Sequence, residues 1–192
     1  AQVDIPRLVN LNGRTQESIE FLFDFIKNNP DKGTNEFFAL LGETVNSEGA
    51  LYTSGFPYRG SLLIKNAGTP EAEYQTKIQK LPNSSKRPIV FFFSGMGSQW
   101  SAMAKALMPI KLFAETIEKC SKILEQVNID LKYILLSEDS AALEEKIHHF
   151  VAITSMQIAL VELLKALGIE SDYIIGHSFG EIACAYSDGC LS

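Results

Sequence analysis

Gly176-His177-Ser178-Phe179-Gly180 constrains this chain more than any other stretch of it. A serine stands between two glycines, with the apolar Tyr173-Ile174-Ile175 before it and the helix-prone Glu181-Ile182-Ala183-Cys184-Ala185-Tyr186 after it. A strand must turn sharply into a helix there, and glycine on each side removes side chains that would clash in so tight a turn. The turn lifts the Ser178 hydroxyl clear of the sheet. It also leaves the hydroxyl at a helix N-terminus, whose free N–H groups and positive dipole end suit an oxyanion. G-x-S-x-G also occurs as a plain polar turn, so its flanks matter. Leu160 to Leu167 follows a helical pattern that ends at Gly168, a natural C′ residue, and a short apolar strand comes next. Helix, strand, elbow and helix is the order this chemistry requires, and Ser178 reads as a nucleophile.

The 192 residues suffice for one full domain or two small ones, with a real core. A hydrophobic content of 46% with 21% charged residues is that of an ordinary globular chain. A net charge of −6 without a Lys/Arg cluster argues against a nucleic-acid partner. The three cysteines, Cys120, Cys184 and Cys190, are odd in number and lack C-x-x-C spacing. They point to buried thiols in a reducing compartment, not a disulfide frame or a zinc site. The opening Ala1-Gln2-Val3-Asp4-Ile5-Pro6-Arg7 shows no signal-peptide pattern, so a cytoplasmic location is expected. The most apolar helix, near Phe150 to Leu164, is interrupted by Thr154, Ser155, Gln157 and Glu162 and reads as a buried helix, not a membrane span.

Two blocks are visible along the chain, 1–85 and 86–192. In the first, Thr15-Gln16-Glu17 opens a helix with Ile19, Leu22, Phe23 and Ile26 on one face, ending before Asn28-Asn29-Pro30. A short helix is expected over Asn35 to Leu41. Strands are expected at Leu51-Tyr52 and Ser61-Leu62-Leu63-Ile64. Residues 66–88 shift to Gly, Pro, Ser, Asn and charge, and read as a linker or exposed connection. The second block opens with Ile89-Val90-Phe91-Phe92-Phe93, a continuous apolar run typical of a central parallel strand buried on both faces. Helical spacing follows at Met103, Leu107, Leu112, Ile117 and Leu124, then at Leu143, Ile147 and Val151. The fold class is α/β: a small α/β subdomain, then a partial α/β-hydrolase-like subdomain with a parallel sheet core.

Directly after that first strand comes Ser94-Gly95-Met96-Gly97-Ser98-Gln99-Trp100. It fails as a phosphate loop, because no Gly-Lys-Ser/Thr follows. It is weak as a dinucleotide fingerprint, because Trp100 stands where the third glycine belongs. Two readings remain: a glycine-rich βα turn without chemistry, or an oxyanion loop whose Met96 N–H approaches a reacting carbonyl. His177 adjoins Ser178, and neighbours in a turn point different ways, so support suits it better than a general-base role. His148 and His149 lie on a helical pattern and read as solvated or satisfied helix residues. Glu144-Glu145-Lys146 reads as a solvated helix face. Gln157, in the most apolar helix, is a buried amide that needs partners, as a structural anchor or as a group near the site. Gln99, Gln157 and His177 are candidate substrate contacts.

Ser94–Trp100 together with Gly176-His177-Ser178-Phe179-Gly180-Glu181-Ile182-Ala183 closely resembles the malonyl/acetyl-transferase domain of animal-type (type I) fatty acid synthase. Phe150-Val151-Ala152-Ile153-Thr154 with Gln157-Ile158, and Asp188-Gly189-Cys190-Leu191-Ser192, are similar to that family too. Ile5-Pro6-Arg7-Leu8, Gly13-Arg14-Thr15 and Pro57-Tyr58-Arg59-Gly60 resemble the segment that joins its ketosynthase to its acyltransferase. The resemblance spans nearly the whole chain, and the paired motifs are far more specific than the elbow alone.

The resemblance implies that Ser178 accepts the acyl group and that the backbone N–H groups of Met96 and Phe179 form the oxyanion hole. Bacterial relatives carry glutamine where Met96 stands, a change that a backbone donor tolerates. Phe179 replaces a more usual leucine and is expected to narrow the acyl pocket. Malonyl- or acetyl-coenzyme A is the implied donor and the phosphopantetheine thiol of an acyl carrier protein the implied acceptor, with no tightly bound cofactor and no metal. The implied partners are the carrier protein and a ketosynthase of the same chain, in a homodimeric parent, with no nucleic acid and no membrane. In that family the activating histidine and the arginine that grips the malonyl carboxylate come from later sequence. None of the three histidines here matches the catalytic one, so the chain is expected to be a segment of a larger enzyme and inactive alone. The first 85 residues would be the ketosynthase-to-acyltransferase linker region, and 86–192 the N-terminal part of the transferase domain. A serine esterase of the α/β-hydrolase type and a non-catalytic fragment are the rival readings; the esterase would also need a later histidine, and the His-Gly-Gly type of oxyanion loop common there is missing.

Overall fold

The computed structural model describes residues 6–45, 56–81 and 87–192. The chain divides into two compact units, Ala1–Arg87 and Pro88–Ser192.

The first unit is a three-stranded antiparallel sheet with helices on one face. Strand β1 (Arg7–Gly13) leads into helix α1 (Gln16–Asn28), a 3₁₀ turn (Pro30–Lys32) and α2 (Asn35–Val45). Strands β2 (Tyr58–Lys65) and β3 (Glu73–Lys80) follow, in the sheet order β1-β2-β3. Helix α1 starts where its cap chemistry says, with the Thr15 hydroxyl accepting the Ser18 N–H at 3.2 Å. Its apolar face, Ile19, Phe23 and Ile26, buries itself against Val9, Leu11, Leu62 and Ile64 of the sheet. The α2 helix runs four residues past the expected Leu41, and the strand expected at Leu51-Tyr52 lies outside the described residues.

The connection expected over residues 66–88 contains β3. That strand is polar in sequence because it is an edge strand: Glu73, Gln75, Lys77 and Gln79 face outward, and only Tyr74 and Ile78 reach the core. Its identity comes from eight-residue pairing with β2, from Tyr58↔Lys80 to Lys65↔Glu73, which a propensity reading does not see.

The second unit holds two parallel strands, β4 (Val90–Phe93) and β5 (Tyr173–Gly176), in register Val90↔Tyr173 to Phe93↔Gly176. Between them run α3 (Lys111–Glu125), α4 (Leu131–Leu136), a 3₁₀ turn (Ser140–Leu143) and α5 (Lys146–Ala166); α6 (Gly180–Ser187) follows β5. The Asp172 carboxylate accepts the Ile89 N–H at 2.7 Å and clasps the two strands at their start. Phe113, Ile117, Leu131, Ile134, Leu135, Ala152, Met156 and Ala159 form the helical core. Phe93, Val161 and Ala183 join the sheet to α5 and α6.

Three expectations change here. The strand at Val90–Phe93 is covered on one face only: Phe93 is buried, but Val90 is 48% and Phe92 66% exposed, beside Tyr173 and Ile175 of β5. The described unit pairs just two strands, and no element of it packs on that side. Residues 101–110, read as helical from Met103 and Leu107, form successive turns. Ala102 at φ +58° and Pro109 break the helix, although Met103 and Ala104 still enter the core. Leu143, read with the helical pattern of Ile147 and Val151, closes the 3₁₀ turn instead, and α5 begins at Lys146. At the other end of α5, Gly168 takes φ +70°, the expected left-handed C′ conformation.

Helix α5 is long and apolar enough to cross a membrane by length and composition. It packs with Ala152, Ile153, Ser155, Met156, Ala159 and Val161 buried, against α3, α4 and α6.

Candidate functional site

The parallel pairing of β4 and β5 brings the ends of both strands side by side. Everything of chemical interest follows directly after them. The backbone N–H of His177 still donates to the Phe93 carbonyl at 2.9 Å, and then the chain turns. Ser178 sits at φ +56°, the left-handed region that a serine occupies at a cost on the order of 1–3 kcal/mol. The turn closes through Gly180 N–H to the His177 carbonyl (3.0 Å) and Glu181 N–H to the Ser178 carbonyl (3.1 Å), and α6 begins. Helix and strand approach backbone to backbone: a Cβ on Gly180 would overlap the Phe93 carbonyl and stand 2.9 Å from that of Ser94. Ser178 is exposed at the tip. The Phe179 ring stacks flat on Phe150 of α5, centroids 3.7 Å apart and planes within 6°, which ties the elbow to that helix.

Loop 94–99 lies against this turn. A Cβ on the buried Gly95 would stand 2.7 Å from the His177 carbonyl oxygen and 2.9 Å from the Ser178 Cβ, so only a glycine backbone comes this close. The Ser98 hydroxyl donates to the Gly95 carbonyl (2.9 Å), and the Ser94 hydroxyl donates to Ser98 Oγ (3.0 Å). The Gln99 carboxamide oxygen folds back to accept the Gly97 N–H at 2.9 Å. Gly97 takes φ +103°, in open space, so its demand is conformational. The Met96 side chain is 54% exposed and contributes little packing. Among the described residues, no acceptor takes the N–H of Met96 or of Phe179.

The remaining candidates divide. Gln157 reaches the loop: its Nε2 donates to the Ser94 carbonyl at 2.8 Å, while its Oε1 is buried without a partner among the described residues. The His177 ring packs on the same loop, with Nδ1 3.4 Å from where a Gly95 Cβ would be. His148 Nδ1 meets the Ala142 carbonyl at 2.9 Å and His149 Nε2 meets that of Leu143, so both rings are engaged in the turn that starts α5. Beside Phe179 and Phe150 an apolar groove of about 330 Å³ runs over Ile147, Val151, Ile158 and Ile182, with Cys120 at its wall. Burial pushes the Cys120 thiol up from its ordinary range. The Phe150–Phe179 stack had no signal in the sequence, where the two rings belong to separate motifs.

Residues 90–192 match the family model of the acyl transferase domain. The 6-methylsalicylic acid synthase of Aspergillus terreus is 35% identical over 122 residues, 63% of this chain and 7% of that protein. Highly reducing polyketide synthase 17 of Metarhizium anisopliae is 29% identical over 197 residues, 97% of this chain and 6% of its own length. The chain therefore spans only a small part of these relatives. Among solved structures, the acyl transferase domain of ZmaA matches with a TM-score of 0.72 at 21% identity, covering 97% of this chain and 45% of that one. The acyltransferase domain from module 8 of the salinomycin polyketide synthase matches at 0.67 and 21%, covering 97% and 46%. At such identity these likenesses establish the fold. The chain belongs to the acyl transferase domain family, the transferase module of polyketide- and fatty-acid-synthase-type multidomain enzymes.

Proposed function

We propose that this chain carries the nucleophile and oxyanion hole of a malonyl/acetyl transferase that serves fatty acid synthesis. Ser178 Oγ attacks the thioester carbonyl of malonyl- or acetyl-coenzyme A and the coenzyme A thiolate leaves. The phosphopantetheine thiol of an acyl carrier protein then takes the acyl group from the serine ester. Each half passes through an oxyanion held by the Met96 and Phe179 N–H groups. The observation that carries this reading is Ser178 at φ +56°, exposed on a strand-to-helix turn, with the Gly95 backbone pressed against it and, among the described residues, no acceptor on the N–H of the adjoining Phe179 or of Met96, which follows Gly95. The coenzyme A thioester is substrate here, and the reading calls for no tightly bound cofactor.

The base is expected from residues outside this chain. His148 and His149 are committed to carbonyls, and the His177 ring lies against the loop at Gly95. The first block would then be the linker region from a ketosynthase of the same polypeptide, in a cytoplasmic, homodimeric parent. A second reading, the same transfer within a polyketide synthase, is favoured by the fungal polyketide synthases among the curated relatives. The two share every step at Ser178.

The test uses the intact synthase that contains this chain, incubated with labelled malonyl-coenzyme A and run on a denaturing gel. Label should appear on this domain, vanish in Ser178→Ala, and pass to carrier protein faster than to water. Label retained at wild-type level in the alanine variant would overturn the assignment. Hydrolysis outrunning thiol transfer would favour an esterase.

A further inference from the structure

Resting on the reading of Ser178 and the Met96 N–H above, we propose that Gln157 is a positioning residue: its carboxamide holds the Ser94 carbonyl and so aims the Met96 N–H at the reacting carbonyl. The bond joins positions 63 apart in sequence, from the middle of α5 to the first residue after β4. Ser94 is where the β4–β5 ladder runs out: the last pair is Phe93↔Gly176, and the elbow turns away just beyond it. Its carbonyl therefore needs a donor from elsewhere. Along that stretch of the helix Gln157 is the one carboxamide, among Ile153, Thr154, Ser155, Met156, Ile158 and Ala159.

The consequence lies two residues on from Ser94, at Met96. Gly95 separates two rigid peptide planes. One contains the Ser94 carbonyl, and the other contains both the Gly95 carbonyl and the Met96 N–H. The Ser98 hydroxyl holds the second plane at the Gly95 carbonyl, and Gln157 holds the first. A glycine between them has wide φ/ψ freedom, so with either plane released the Met96 N–H can swing. Gln157 does this while leaving its own Oε1 without a partner among the described residues, an arrangement that stability alone does not favour. A donor to the Ser94 carbonyl is what the site gains in return.

The experiment is steady-state and single-turnover transfer by the intact synthase, from malonyl-coenzyme A to carrier protein, with Gln157→Leu and Gln157→Glu beside wild type. Leucine keeps most of the volume and removes the donor. It should lower kcat about tenfold or more, because a misaimed oxyanion donor forfeits part of the 10²–10³ such a donor is worth, with KM within about twofold and thermal stability held. Glutamate can donate to the carbonyl only when protonated, so Gln157→Glu should recover toward wild type as pH falls, against the wild-type profile. Wild-type kcat in Gln157→Leu would overturn the proposal, as would a KM rise at constant kcat, which marks a substrate contact. Activity lost only in step with melting, without the pH recovery in the glutamate variant, would make Gln157 merely structural. Failure of Ser178→Ala to abolish labelling is a separate result, and it would overturn the underlying reading instead.

Discussion

Ser178 is held by its backbone before any chemistry begins. A serine at φ +56° persists only where its surroundings over-determine it, and here a β-ladder end, a helix start and a stacked phenylalanine all do so. Two glycine substitutions separate the kinds of constraint. Gly180→Ala puts a methyl group into the Phe93 carbonyl, and backbone cannot yield as a flexible side chain can. We expect a loss of stability of about 1–3 kcal/mol or more, read by urea unfolding as a fall in midpoint at constant slope. Unchanged stability would mean that the helix start relaxes away from the strand. A Cβ on Gly97 meets no atom within 4 Å, yet Gly97→Val must adopt φ +103°, a conformation a β-branched residue shuns. If the Met96 N–H is the proposed oxyanion donor, transfer should fall by about 10²–10³ as it is misaimed, while Met96→Leu stays mild because a backbone donor survives that change. Equal damage from the two would assign the effect to side-chain packing.

At the scale of elements, α5 is the member of the second unit on which α3, α4 and α6 all pack. It contributes Phe150 to the elbow, Gln157 to the loop and Val161 to the sheet, and Glu162 accepts the Tyr186 hydroxyl of α6 at 3.0 Å. Burial, reinforced by that bond to a carboxylate, pushes the Tyr186 phenol up to about 12. A raised phenol binds its proton more tightly in the folded state. Its contribution is thus fully present below the ordinary value near 10 and is lost as pH rises toward 12. The difference in stability between wild type and Tyr186→Phe should therefore be constant up to about pH 9 and shrink or reverse above pH 10. Parallel stability curves for the two proteins from pH 8 to pH 11.5 would show that the α5–α6 bond carries no such linkage.

For the whole molecule, the decisive surface is the open face of the parallel pair. Val90, Phe92, Tyr173 and Ile175 are 48–66% exposed on adjacent strands, a contiguous apolar patch of the kind that associates. The 192-residue chain purified alone should bind a hydrophobic dye and sediment as a concentration-dependent assembly, and Phe92→Thr should weaken both. A dye-silent monomer would mean that this face is covered in solution. Transfer activity of the isolated chain should also be absent, since a serine without a base is a poor nucleophile at neutral pH. Turnover within about tenfold of the intact enzyme would show that one of His148, His149 and His177 serves as the base after all.

The elbow, its helix and its strand were legible in sequence because their signals are local. Glycine spacing, an apolar run and a C′ glycine each act within a few residues, and α1 was legible through Thr15 and its apolar face for the same reason. The edge strand β3 was not legible, because its partner and not its composition makes it a strand. Nor was the exposure of Phe92, since an apolar run states what a segment can bury and not whether anything arrives to bury it. Gln157 shows the division within one residue. Sequence marked a buried amide in need of partners, but the choice of the Ser94 carbonyl came from folding α5 across the end of β4. Local sterics and propensity are written along the chain, whereas contacts between distant segments exist only once the chain has closed on itself.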